Sequence, residues 1–266
     1  MALLLISGVL VALCVFPLCG DAARMRLRAS WSTALLDALG IAVVADRRHI
    51  VPGALLVANH ISWIDICVIN AVFPAAFVAK EEVRHWPLIG WLAAKNDTVF
   101  LRRGSRGHAR IINGQVAAIL GGGKHVAVFP EGTTTDGQSL LHFHAALIQP
   151  ALAAGRPVLP LGISYWELNG KRSLAPRYDG DISLGQCTLA ILGRKRLTAR
   201  LVTMPLCGLN GEDRKQVAAE AREAIALAAG LPLASNRPGT PGDHPGVMPS
   251  GGRPTGSRSP APANLA

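Results

Sequence analysis

The chain alternates short apolar runs with longer stretches whose apolar residues return every three or four positions. Ile41–Ala45, Ala54–Ala58, Ala76–Ala79, Thr98–Leu101, His125–Phe129 and Val158–Ser164 are short and almost wholly apolar. Such runs read as buried strands, with Arg196–Met204 as one more candidate. Trp63–Val72, Gly107–Leu120, Leu140–Ala154 and Glu212–Ala229 carry helical spacing instead. Strands interleaved with helices predict an α/β fold, a twisted and largely parallel sheet flanked by helices.

The two ends depart from this pattern. Residues 1–20 are apolar with no charge before Asp21, and roughly 20 such residues can span a bilayer. A secretory signal would carry a basic start, which is missing. The segment therefore reads as an uncleaved membrane anchor, a signal peptide being the weaker alternative. Arg24, Arg26 and Arg28 follow it and favour the cytoplasmic side. Leu27–Leu39, with Trp31, Leu35, Leu36 and Leu39 at helical spacing, is either an interfacial helix or a helix packed on the core. Residues 237–266 hold 7 Pro and 6 Gly, the composition of a disordered tail. The expected organisation is 1–39 as membrane-associated helical segment, 40–233 as globular domain and 234–266 as tail.

Composition narrows the function class. Of 266 residues 27 are Lys or Arg and 17 Asp or Glu, a net charge of +10, which favours an anionic partner. Aromatic residues make up only 5%, too few for a platform that stacks nucleic-acid bases. Basic charge beside an apolar segment points to lipid, not nucleic acid. The five cysteines are scattered with no C-x-x-C, so neither a disulfide framework nor a zinc site is expected.

Four motifs carry candidate chemistry. Asn59-His60-Ile61-Ser62-Trp63-Ile64-Asp65 follows one predicted strand and opens a helix. A neutral histidine there can act as general base, oriented by a carboxylate; the plainer alternative is that Ser62 and Asp65 merely cap the helix. Phe129-Pro130-Glu131-Gly132-Thr133, after another strand, offers glycine and hydroxyl groups, or an ordinary turn. Thr98–Leu101 ends in Arg102 and Arg103, suited to phosphate. Val158–Ile163 is an apolar strand containing Pro160.

In this order and spacing the four motifs resemble the glycerolipid acyltransferases, the lysophosphatidic acid acyltransferase-like enzymes, over roughly residues 40–205. The resemblance implies that His60 takes the proton of an acceptor hydroxyl and that Asp65 orients it. The alcohol then attacks an acyl thioester. Arg103, Glu131, Gly132 and Thr133 would shape the acceptor site, with Arg103 on a phosphate and Pro160 in the cleft wall. No metal and no cofactor are implied; acyl-CoA or acyl carrier protein enters as co-substrate. The acceptor would be 1-acylglycerol 3-phosphate, giving phosphatidic acid, at the cytoplasmic side of the cell inner membrane. Lys80, Arg84, Lys95 and Arg102 flank the motifs and could favour anionic headgroups, or serve solubility alone. One departure stands out: Thr134 occupies the place after F-P-E-G-T where many members carry arginine. That loss suits a lyso-ornithine lipid as the alternative acceptor. A non-catalytic lipid-binding protein is the alternative of another class.

Overall fold

The computed structural model describes residues 2–102 and 106–234. Seven strands form one sheet: β1 (Ile41–Ala45), β2 (Leu55–Ala58), β3 (Ala75–Lys80), β4 (Val99–Leu101), β5 (His125–Val128), β6 (Val158–Glu167) and β7 (Leu197–Thr203), in the spatial order β1-β7-β6-β2-β5-β3-β4. Every neighbouring pair is parallel except β6 and β7. The sheet is therefore mixed, its β1–β7 edge running against the other five strands. All seven expected strands exist.

Helices cover both faces, which is why the central strands are apolar on both sides. Alternation along β2 divides the core. Leu56 and Ala58 pack with α2 (Asp21–Ala38), α3 (Asp65–Val72) and α7 (Leu184–Leu192). Leu55 and Val57 pack with α5 (Arg106–Gly121), α6 (Gln149–Ala153) and α8 (Arg214–Ala229). The chain leaves β2 through α3 on the first face and leaves β5 through α6 on the second. Adjacent strands whose connections part to opposite faces leave a crevice at their carboxyl ends.

Three helical segments differ from expectation. Leu140–Ala154 is not one helix: residues 140–144 are loop, Ala145–Leu147 a single tight turn, and only Gln149–Ala153 is α-helical. Tertiary partners take the backbone first, since Leu141 N–H donates to Glu131 and His144 N–H to the Pro130 carbonyl. His142 and His144 thus lie on this loop, both exposed. Helix α7 was not anticipated, although Ser183 and Gln186 form a capping box at its start. A short helix, α4 (Ile89–Lys95), follows β3 on the way to β4.

At the N-terminus α1 (Ala2–Leu10) passes into a wider turn, Val11–Val15, and a tight one, Phe16–Leu18, containing Pro17. Among the described residues no helix is long and apolar enough to cross a membrane. In α2 the side chains of Leu35 and Leu36 enter the core, so this helix packs on the domain. Arg28 is buried too, donating to the Ala75 carbonyl (2.9 Å), Asn96 Oδ1 (3.1 Å) and Asp97 Oδ2 (3.1 Å). The expected tail lies outside the described residues except for Ala234.

Candidate active site

Strand β2 ends at Ala58, and the next side chain takes over its pairing: Asn59 exchanges two hydrogen bonds with the backbone of Ile163 on β6, at 2.8 and 3.0 Å. This pins the turn that presents His60 beyond the carboxyl edge of the sheet. The turn closes on Asp65, the first residue of α3, which is fully buried. Its Oδ2 accepts from Ile61 N–H (2.7 Å), Ser62 N–H (2.8 Å) and His60 Nδ1 (3.0 Å). Its Oδ1 accepts from the Tyr165 hydroxyl at 2.5 Å. Asp65 thus closes the turn and holds the imidazole; the expected capping box with Ser62 does not form, since the start of α3 has no side-chain cap. Ser62 does not cap: its hydroxyl lies 3.8 Å from Cys187 Sγ.

With Nδ1 donating to Asp65, Nε2 keeps its lone pair. The His60 ring is 18% exposed. It lies flat on Phe129 from the end of β5, with centroids 3.8 Å apart and planes 8° from parallel. The crevice between β2 and β5 therefore holds a ring fixed in plane and open at one nitrogen, the arrangement a general base needs.

Glu131, expected to help shape the acceptor site, turns its carboxylate inward. It is buried, and both oxygens are used: Oε1 accepts from His60 N–H at 2.8 Å and Oε2 from Leu141 N–H at 3.0 Å. Burial pushes its carboxyl up to about 7 against the pull of these two bonds. It joins the two motif loops from within. Gly132, at φ 70°, turns the loop, and Thr133 is exposed on it. Thr134 is occupied with the Tyr178 carbonyl through its hydroxyl, and Thr135 donates to the His60 carbonyl through its N–H at 2.8 Å.

Pro160 is likewise not in a cleft wall. It is buried in mid-strand opposite Val57. Alternation puts it with Val158 and Gly162, and the Gly162 α-carbon is covered by Ala228 of α8, whereas Leu161, Ile163 and Tyr165 belong to the other face. Arg103 lies outside the described residues. Lys80 and Arg102, at the ends of β3 and β4, are exposed at the same sheet edge as His60. Arg84 lies over the Phe100 ring and Lys95 over the Trp91 ring, local partnerships at 5.5 and 5.9 Å. Cys67 sits inside α3 two residues from Asp65, its thiol pushed up to about 12 by burial, and then by the charge of Asp65. Such a thiol is no nucleophile. Tyr165 was missed from the sequence because its strand was expected to end at Ser164.

An imidazole–carboxylate pair at the carboxyl edge of a helix-flanked sheet is an arrangement that can take a proton from a hydroxyl group. Comparison with known proteins makes this specific. Residues 42–164 match the model of the Acyltransferase family. Over 205 residues the chain is 40% identical to a lyso-ornithine lipid O-acyltransferase of Pseudomonas aeruginosa, covering 77% of this chain and 79% of that one. Over 149 residues it is 42% identical to a 1-acyl-sn-glycerol-3-phosphate acyltransferase of Neisseria meningitidis, covering 56% and 58%. The crystal structure of the 1-acyl-sn-glycerophosphate acyltransferase PlsC from Thermotoga maritima shares the fold, with TM-score 0.57 at 23% identity over 85% of this chain and 95% of that one. The chain belongs to the acyltransferase family that includes the lysophosphatidic acid and lyso-ornithine lipid acyltransferases.

Proposed function

We propose that the protein transfers a fatty acyl group from acyl-CoA or acyl carrier protein to the free hydroxyl of 1-acylglycerol 3-phosphate, giving phosphatidic acid. The observation that carries this is the part-exposed ring of His60, held at Nδ1 by the buried carboxylate of Asp65. Nε2 takes the hydroxyl proton as the alcohol oxygen attacks the thioester carbonyl carbon. The carbon–sulfur bond breaks and the thiolate leaves with the proton that His60 returns. Lys80 and Arg102, exposed at the same carboxyl edge of the sheet, supply positive charge for the phosphate.

Lyso-ornithine lipid is the second reading, favoured by Thr134. That position carries no charge, and its hydroxyl is already engaged with the Tyr178 backbone.

The acceptor is a membrane lipid, and the N-terminus suits a protein lying in the interface. Ile6, Leu10, Leu13, Val15 and Leu18 are exposed, and Leu18 is 87% so. Arg24 and Arg26 just beyond favour a reading in which the domain works at the cytoplasmic face of the inner membrane.

The test is acyl transfer by full-length protein in detergent, with each lysolipid offered separately. A higher kcat/KM for lysophosphatidate supports the first acceptor, and a higher value for lyso-ornithine lipid replaces it with the second. Full activity in His60→Ala would refute the mechanism for both.

A further inference from the structure

The phenol of Tyr165 reaches the buried oxygen of Asp65 that His60 does not use. We propose that Tyr165 is a positioning residue that sets the basicity of His60 through Asp65, completing a chain Tyr165–Asp65–His60 from the sheet interior to the open ring nitrogen. Tyr165 is 1% exposed on β6, and its hydroxyl donates to Oδ1 at 2.5 Å. Oδ2 already serves three donors. Among the described residues, Tyr165 is thus the only side chain besides His60 that these contacts bring onto the carboxylate. Burial, and then the charge of Asp65, raise the phenol well above its ordinary range, so it stays a donor throughout the working pH.

The physical consequence follows from charge sharing. A donor on Oδ1 draws negative charge away from Oδ2, and the carboxylate then stabilises a neighbouring imidazolium less. Removing the donor makes Asp65 a stronger partner for protonated His60, so more acid-side activity is lost. The other titratable groups facing this cluster are Cys67 from α3, Cys187 from α7 and Glu131 from the loop after β5. The two thiols are raised by burial and stay neutral. Glu131, pushed up to about 7 by burial, is the one that changes charge in the neutral range.

This inference rests on His60 being the base, and the experiment separates the two. The pH dependence of kcat/KM is measured for full-length wild type, His60→Ala and Tyr165→Phe, and again for Tyr165→Phe within Glu131→Gln. Tyr165→Phe should lower kcat about tenfold with KM for the acceptor little changed. It should also move the acid limb up by about half a pH unit, in both backgrounds. The chain has 2 tyrosines. Difluorotyrosine incorporated into Tyr178→Phe therefore labels Tyr165 alone and makes it a stronger donor. The limb should then move down relative to the unlabelled Tyr178→Phe protein, a readout independent of whether Tyr165→Phe folds. An acid limb that stays in place in the fluorinated protein, or a uniform loss in Tyr165→Phe with no displacement, would overturn the relay and leave Tyr165 a packing residue. Full activity in His60→Ala would overturn the underlying mechanism instead.

Discussion

The backbone N–H of His60 donates to Oε1 of Glu131 at 2.8 Å, so the two motif loops are one hydrogen-bonded unit. The imidazole is held from both sides, by Asp65 through its ring and by Glu131 through its peptide. Substitution at either carboxylate therefore acts on the same turn, by different physics.

Asp65→Asn keeps the shape but changes what the side chain offers Nδ1 of His60. The expected outcome is a fall in kcat of about 10²–10⁴ with KM for the acceptor little altered, read by steady-state acyl transfer. Cys67→Ala in the neighbouring turn should leave kcat within about threefold, because its buried thiol takes no part in the chemistry.

Glu131 ties stability to pH. Its carboxyl is raised from its usual 4.5 to about 7 by burial, so the folded state binds the proton more tightly than the unfolded chain. The stabilisation is complete below pH 4.5 and is lost as pH rises through about 7, roughly 3 kcal/mol in all. Wild type should thus lose thermal stability relative to Glu131→Gln over this window, and parallel melting curves for the two would refute the assignment.

Gly137 shows how the second loop is sized to the first. Its φ is 72°, and a Cβ there would meet the Ile61 side chain at 3.2 Å. Gly137→Ala should lower stability by about 1–2 kcal/mol and also reduce kcat, since Ile61 adjoins His60. Urea midpoints and turnover measured on one preparation test both.

Arg28 and the exposed N-terminal leucines should separate folding from membrane contact. Arg28→Met leaves the Ala75 carbonyl without its buried partner, and about 2 kcal/mol of stability should go, with vesicle binding intact. Replacing Leu10, Leu13 and Leu18 by serine should leave the melting temperature within a few degrees but weaken co-sedimentation with anionic vesicles.

Much of this was legible along the chain. The central strands announced themselves as apolar runs, because a strand buried on both faces has no polar side to show. The His60–Asp65 pair was legible because five residues across one turn leave little freedom in how the two meet. Helix Leu140–Ala154 misled because its spacing is helical while its backbone hydrogen bonds go to Glu131 and Pro130, partners that no local pattern reveals. Arg28 read as a charge for the membrane surface, yet its partners Asn96 and Asp97 are nearly seventy residues away.

The sequence by itself determined the α/β class, the order of the strands along the chain and the histidine with its carboxylate, since these depend on periodicity and short spacing. Only the tertiary structure decided which face each residue takes and what it touches. It turned Glu131 inward as a clamp, set Pro160 on the side away from His60, and brought Tyr165 to Asp65 across 100 residues. Side-chain alternation reverses with every residue of a strand, and the far oxygen of a buried carboxylate is satisfied by whatever the neighbouring strand presents, so these choices exist only once the sheet is assembled.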